Sequence, residues 1–409
     1  MPGFSPLDET LGLVPGTALS PSLLDGLVRL GLARSFPEAA TLLTHCTHVP
    51  VSAETVRRWT ERAGVARERR EAAAVVEREA KLPDPPAGPA CQFLSADGAM
   101  VPLVGGQWAE ARLLAVGTIE SDPSGTSHTT ELSYFGRLTD AQTFRRRATL
   151  ETHRRGTATA GTVVAVTDGA TWLQEFIDLQ RPDAVRILDF PHALEHLSSA
   201  AQAVYGPGTA AASEWLGAQA HTLRHGDPAD VLTALTQLVS AATTPDARAR
   251  VTGCSAYRDH RRSQITYADF AGCGYPLGSG RVESGHKRVV QARLKGPGMH
   301  WTRVAVNAIL ALRGIDQSGR WSTTWPAILT GLQQWPRRRR TPPPRQPASS
   351  WPFTCVFPAL CPPALVRALP APRSTDPPKL VVNGRPTAAH PWRRFRLPGS
   401  PHFSPRAKY

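Results

Sequence analysis

Residues 274–301 read GYPLGSGRVESGHKRVVQARLKGPGMHW, the densest piece of information in the chain. The stretch opens on a glycine-rich turn, Gly278-Ser279-Gly280, that suits neither a helix nor a strand. From Val282 the glycines thin out, and Glu283, Lys287, Val290, Gln291 and Leu294 recur at helical spacing. Ser279 and Ser284 are candidate caps, and Gly296-Pro297-Gly298 stops the helix abruptly. Glu283 thus falls in or near the first turn of a short helix whose other charges, Arg281, Lys287, Arg288, Arg293 and Lys295, are all positive. A lone carboxylate among cations suits either a salt-bridged surface helix or a metal ligand beside a polyanion. The stretch by itself favours the first, so the decision rests on what the rest of the chain supplies.

The chain has 409 residues, enough for two or three domains, and its 41% hydrophobic content is that of a mostly globular protein. No run of 18 or more apolar residues appears, so no membrane partner is expected. The start, MPGFSPLDET, lacks the basic and apolar blocks of a signal peptide. Six cysteines, at 46, 91, 254, 273, 355 and 361, show no CxxC or CxxH spacing. Reduced thiols in a cytoplasm are the expectation. The net charge of +14 is concentrated at the C-terminus: residues 336–409 hold 14 Lys and Arg against one acid, Asp376, leaving about +1 for the rest. A basic tail of that kind suits a polyanion, though solvation alone accounts for it equally well. Arginine outnumbers lysine 42 to 5, as a GC-rich coding bias would produce, yet Lys287 and Lys295 are two of the five lysines.

In chain order, residues 20–65 pattern as three helices. The third, AETVRRWTERAG, has Val56, Trp59 and Ala63 on one face and Arg57, Arg58 and Arg62 outward, which is helix-turn-helix patterning or plain helical packing. A charged, exposed helix continues it, and the Pro-rich 83–90 is a stiff linker. Three meandering strands follow, then strand, helix, strand, helix, the order of a mixed sheet covered by helices. From 205 to about 270 every signal is helical. Two further helices end near 335, and the low-complexity remainder, with roughly half of the 38 prolines, is expected to be largely disordered. The divisions expected are therefore a helical module over 1–82, the linker 83–90, a first part of the sheet domain over 91–204, an all-α insertion over 205–270, a second part over 271–335 and the tail 336–409.

Asp97 lies inside an apolar strand and Asp168 ends another, each followed by glycine. An Asp-Gly after a strand is most often a turn, but an acid inside an apolar run needs a partner or a cation. Three acids from separate segments, Asp97, Asp168 and Glu283, supply the oxygen donors that Mg²⁺ takes alongside water and phosphate oxygens.

With these acids in view, the chain resembles the DDE transposases of bacterial insertion sequences, specifically the ISKra-type family. The residues that carry the resemblance are SADGAMVP (95–102) with Trp108-x-Glu110, VTDGATWL (166–173), ILDFPHALEHL (187–197) and the whole stretch 278–301. LDETLGL (7–13), SFPEAATLL (35–43), VSAETVRRW (51–59) and AAHPWRRF (388–395) look like it too. The resemblance implies an α/β, RNase H-like mixed sheet flanked by helices and interrupted by the all-α insertion, with a helix-turn-helix-like module before it. It implies Asp97, Asp168 and Glu283 as the catalytic acids holding Mg²⁺, or Mn²⁺ in its place. The activity implied is cleavage at transposon ends and transfer of the freed 3′-hydroxyl into target DNA, by a homo-oligomer in a bacterial, nucleoid-associated cytoplasm.

Asp189 is the alternative second acid. Asp189-x-x-His192 looks like the position where Mutator-type transposases carry Cys-x-x-His just after their second acid, which gives Asp189 and His192 a supporting role. An RNase H-like sheet also sets its fourth strand beside the first, in favour of Asp168. His192, Glu195 and His196 are read as holding neighbouring groups in place, not as a zinc site. Lys287, Arg288, Arg293 and Lys295 are candidates for gripping phosphate near the scissile bond, and Arg57, Arg58 and Arg62 for reading the terminal repeats. Trp301 is either core or a platform for a flipped base. Two rival functions stay open: a non-catalytic DNA-binding protein derived from a decayed transposase, and a nuclease of the same fold.

Overall fold

The structure, a computed structural model, describes residues 10–122 and 127–335, and the backbone of 381–382 and 385–386. The chain divides into two units, Met1–Arg337 and Arg338–Tyr409.

Three helices open the first unit: α1 (Pro21–Ala33), α2 (Phe36–Thr47) and α3 (Ala53–Lys81). Each is started by a serine whose hydroxyl accepts a first-turn N–H (Ser20, Ser35 and Ser52), and Ser35 with Glu38 completes a capping box. The charged segment expected to be an exposed continuation is the second half of one 29-residue helix. It is not fully exposed, because Ala66, Glu71 and Val75 are buried. Gly64 explains how α3 reaches the core: a Cβ there would lie 2.3 Å from the Ala308 carbonyl oxygen of α12, a helix described below. Only glycine permits that approach of backbones.

The sheet consists of β1 (Cys91–Pro102), β2 (Trp108–Ser121), β3 (Ser127–Arg137), β4 (Thr162–Thr167) and β5 (Val185–Leu188). The spatial order is β3-β2-β1-β4-β5. The first three strands form an antiparallel meander, while β4 runs parallel to β1 and β5 parallel to β4. The fold is therefore α/β, a five-stranded mixed sheet flanked by helices. Alternate residues of β1 go to opposite faces, as strand pleating requires. Leu94 and Ala96 join Leu114, Val116, Val163 and Ala165 under α4 (Ala141–Arg154) and α5 (Thr171–Gln180). Phe144 and Phe176 fill that side fully buried, each contributing roughly 1.5–3 kcal/mol. Phe93 and Val101 face the larger core on the other side, with Leu113, Ala115, Val164 and Val166.

After β5 come α6 (Phe190–Tyr205), α7 (Ala210–His225), α8 (Pro228–Ala241), α9 (Pro245–Asp259) and the short α10 (Tyr267–Gly272). Among the described residues, 205–270 contain helix and no strand. The helix of the opening stretch, α11, begins at Gly280–Gly285, widens into a π-helical turn over His286–Gln291 and closes at Ala292–Leu294. Its buried face is Val282, His286, Val289, Val290, Arg293 and Leu294, one step round from the stripe expected from spacing, and the π turn accounts for part of the offset. α12 (Arg303–Gln317) is buried on nearly every side from Ala308 to Ile315, packed between α3 and β3, and α13 (Trp321–Gln333) packs mainly on α3.

In the second unit Val381–Val382 (β6) and Arg385–Pro386 (β7) pair antiparallel. The expectation for the tail 336–409, and the AAHPWRRF motif, otherwise lie outside the described residues.

Candidate active site

Strand register lines the acids up. β1 pairs with β4 from Cys91↔Thr162 to Leu94↔Ala165, and the same offset carried three residues further sets Asp168 opposite Asp97. β4 pairs with β5 from Val164↔Val185 to Thr167↔Leu188, and one more residue sets Asp189 opposite Asp168. Asp97 shares its strand parity with Phe93, as Asp168 does with Val164 and Asp189 with Ile187, so all three belong to the face of the larger core. α11 packs its Val282, Val289 and Val290 on that face and brings Glu283 to the row. Asp97, Asp168, Asp189 and Glu283 line one cavity of about 290 Å³, with His192, Glu195 and Ser279 at its wall. Parallel strands commonly open their ligand sites beyond their carboxyl ends, where β4 and β5 stop here.

Hydrogen bonds separate the two candidates for the second acid. Both carboxylate oxygens of Asp189 are occupied: Oδ2 accepts from the His192 N–H at 3.1 Å, capping α6, and Oδ1 accepts from the Ser279 N–H at 2.6 Å. Asp189 is buried, and its carboxylate holds the glycine-rich turn from which α11 starts. Ser279, expected as a possible side-chain cap, instead donates its hydroxyl to Glu283 at 3.3 Å. Among the described residues the Asp168 carboxylate accepts only from the Ala170 N–H, at 2.9 Å, and the residue is half-buried. Its turn needs Gly169, whose φ of +81° is in the left-handed region. The Asp168 carbonyl accepts from the Tyr257 hydroxyl at 2.5 Å and that of Gly169 from Arg261 at 2.7 Å, both groups coming from the last turn of α9 or just beyond it.

Electrostatics make the row unusual. Burial pushes the Asp97 carboxyl up to about 6, and the charges of Asp168, Glu283 and Glu110 add to the rise, against the Gly98 N–H that donates to it. Among the described residues no Lys or Arg pairs with Asp97, Asp168, Asp189 or Glu283. Among the described residues the basic group paired with Asp97 is His286, whose Nε2 lies 3.4 Å from Oδ2, outside hydrogen-bond geometry. Burial lowers that imidazole to about 4, so it is neutral at pH 7 and cannot offset the acids. His286, Tyr257 and Arg261 were missed as site residues in the sequence. His286 sits within the opening motif between two cations, and the other two belong to a helix whose period signals only packing.

The expected phosphate-gripping cations part company. Lys287, Arg288 and Lys295 are exposed on α11. Arg293 is 2% exposed, donates through Nε to the Gly31 carbonyl at 2.8 Å and stacks over Phe36 and Trp301, so it ties α11 to the N-terminal helices. The expectation that it grips backbone phosphate is corrected by that burial. Trp301 is core, 7% exposed, with its indole N–H on the Leu294 carbonyl. On α3, Arg57 is exposed but engaged by Glu54 and Glu61, and Arg58 and Arg62 lie over the Trp59 ring. His192 faces His196, Nε2 to Nε2 at 3.2 Å.

The four carboxylates surround an open cavity, and among the described residues no Lys or Arg pairs with them. They are not a preformed cage: among the described residues no three His, Cys, Asp or Glu side chains meet closely enough to hold a metal ion. The chain matches no family model and no curated protein. No helix among the described residues is long and apolar enough to cross a membrane.

Proposed function

We propose that the chain is a DDE-type DNA transposase with an RNase H-like core, in which Asp97, Asp168 and Glu283 are the catalytic acids. The observation that carries this reading is the row of acids from β1, β4 and α11 around one cleft, without a cationic partner among the described residues. Acids left uncompensated at a cost to one of their own, Asp97, suit a site that completes itself with an external cation. The strand order, with β4 beside β1, agrees with the RNase H-like arrangement.

Asp97, Asp168 and Glu283 would hold Mg²⁺ or Mn²⁺, and Asp189 and Ser279 fix where Glu283 starts. The bound ion supplies Lewis acidity towards phosphoryl oxygens and makes water or a 3′-hydroxyl a better nucleophile at neutral pH. In the first step a water oxygen bonds to the phosphorus at the transposon end and the 3′-oxygen leaves as a hydroxyl. In the second that hydroxyl attacks a target phosphodiester and releases the target's 3′-oxygen. Lys287, Arg288 and Lys295 lie exposed on the helix of Glu283, where they hold the DNA backbone. The three helices before the sheet are the candidate reader of the terminal repeats, and a homo-oligomer brings two ends together.

The test is strand transfer on labelled duplexes carrying the element's ends, with Mg²⁺, for the wild type and Glu283→Gln. The wild type joins ends to target, and the variant loses roughly 1000-fold or more, about 4 kcal/mol in the barrier. Equal activity of the two removes Glu283 from the mechanism. A wild type that binds ends and leaves them uncut returns the chain to the non-catalytic DNA-binding reading.

A further inference from the structure

A second cavity, of about 410 Å³, lies between the N-terminal helices and the loop after α11. That volume falls in the roughly 300–1,000 Å³ range of small-ligand sites. Phe36, Val104, Met299, Trp301 and Ala305 give it apolar and aromatic walls, and Arg293, Arg57, Glu61 and His300 line it as well. Arg293 is the anomaly. No acid among the described residues pairs with it, and only its Nε is well bonded, to the Gly31 carbonyl. Nη1 has the Met299 sulfur at 3.7 Å, and Nη2 has no partner among the described residues. The guanidinium lies 4.4 Å from the Phe36 ring centre and 4.8 Å from that of Trp301, which fixes the plane of its fork. Burial lowers it to about 10, so it remains charged at neutral pH. A buried cation with an idle planar fork is costly, and such a group calls for an acceptor.

We propose that this cavity takes an unpaired guanine base, with its O6 and N7 on the Arg293 fork. Guanine offers two adjacent acceptors on a flat ring, the pair that arginine recognises bidentately, and the aromatic and apolar walls accommodate the ring. A phosphate fits less well, because it would lose hydration against the apolar walls and meet the Glu61 carboxylate, which lines the same cavity. Adenine presents a donor where guanine has O6, opposite a group that is itself only a donor. Met299 covers the fork, and its flexible thioether is the side chain that must swing aside to admit the base.

The cavity is linked to the acid cleft. Arg293 lies ten residues beyond Glu283 on α11, roughly 15 Å at 1.5 Å per residue. The Trp301 N–H donates to the Pro102 carbonyl at 3.2 Å, and the Val104 N–H to the Trp301 carbonyl at 3.0 Å, which ties the loop to the end of β1. A base extruded roughly four steps of duplex from the cleft, at about 3.4 Å per step, would reach the cavity.

The proposal goes beyond the transposase reading and can be tested apart from it. Binding is measured for three duplexes of one sequence: fully paired, with one unpaired guanine, and with one unpaired adenine. Guanosine alone is titrated in parallel by saturation-transfer NMR. The proteins are the wild type, Arg293→Met and Val104→Trp; the last narrows the mouth from a position 54% exposed and leaves the core intact. The wild type prefers the unpaired-guanine duplex by about tenfold over the paired one and by about fivefold over unpaired adenine. Val104→Trp and Arg293→Met bring these ratios below twofold, and Val104→Trp leaves the paired duplex bound as before. Equal wild-type affinity for the paired and unpaired-guanine duplexes, or a preference that survives Val104→Trp, overturns the proposal and leaves DNA binding standing. Should no duplex bind, the DNA reading fails and guanosine decides: a signal lost in Val104→Trp sustains the cavity's ligand, and no signal removes it.

Discussion

Glu71 and Glu151 are the most buried glutamates among the described residues, and each is answered by arginines. Glu71 pairs with Arg67 at 2.9 Å and with Arg137, and Glu151 with Arg154 and, at 2.8 Å, with Arg320. These bridges join α3, β3, α4 and the start of α13. Burial alone would raise the Glu151 carboxyl, but Arg320 and Arg154 outweigh it and hold the group below its usual value. The acids of the cleft receive the opposite treatment. They come from the ends of three strands and a helix, all but Asp189 lie closer to solvent, and Asp97 is raised, first by burial and then by its neighbours' charges, instead of being lowered by cationic partners. The difference separates acids that complete the fold from acids that await something outside it.

The sharpest way to break the comparison is to remove a partner where partners exist. Arg137 is fully buried, its guanidinium pushed down to about 9 mainly by that burial, with Glu71 as its close counter-charge and Glu68 at 3.8 Å. Glu71→Ala leaves that buried cation with the more distant Glu68 as its counter-charge and lowers the unfolding free energy by roughly 3–5 kcal/mol. Replacing both, Glu71→Leu with Arg137→Met, restores most of it, since a well-packed apolar pair is often neutral against a buried ion pair. Urea unfolding of the three proteins measures both effects, and a single variant within 1 kcal/mol of the wild type would show the pair to be incidental.

Within the cleft the same logic divides Asp189 from Asp168. Asp189→Ala removes the cap of α6, about 1 kcal/mol, and strips the Ser279 N–H of its acceptor, roughly 1–3 kcal/mol more. Stability and strand transfer both fall, because the start of α11, and with it Glu283, loses its anchor. Asp168→Ala gives up one local turn bond, so its melting temperature stays within a few degrees while strand transfer is lost. Thermal melts beside activity assays read the pair, and a large stability loss in Asp168→Ala alone would exchange the two roles.

The alternation of strands and helices, and the apolar parity that puts Asp97 on the same face as Phe93, were legible in the sequence because pleating and helical period leave direct traces. The row of acids was legible only in part. The offsets that align Asp97, Asp168 and Asp189 are a property of pairing between distant strands, which no local pattern encodes. Arg293 shows the commonest limit: beside Lys287 and Lys295 it reads as another surface cation, and only tertiary packing under Phe36 reveals it as buried. His286 escaped for a related reason, since the π turn that carries it shifts the buried face by one position.

The smallest effect tests the penalty on Asp97, which burial sets first and the neighbouring carboxylates increase. Asp97 titrates near 6 in the folded protein against an ordinary 3.8, so the folded state binds its proton more tightly than the unfolded one. That difference costs no stability below pH 4, where both states are protonated, grows as pH rises through 4 to 6, and is fully present above 6. Because the side chain is 39% exposed, solvent screening keeps the effect small. Asp97→Asn abolishes the penalty, so the variant melts a little higher than the wild type at pH 8 and level with it at pH 4. Millimolar Mg²⁺ raises the wild type at pH 8 towards the variant and moves the variant less, because the ion offsets the repulsion that the amide has already removed. Melting curves at the two pH values, with and without Mg²⁺, resolve these shifts. A variant no more stable at pH 8 than the wild type would mean that Asp97 already has a compensating charge, and the contrast with the arginine-paired glutamates would lose its basis.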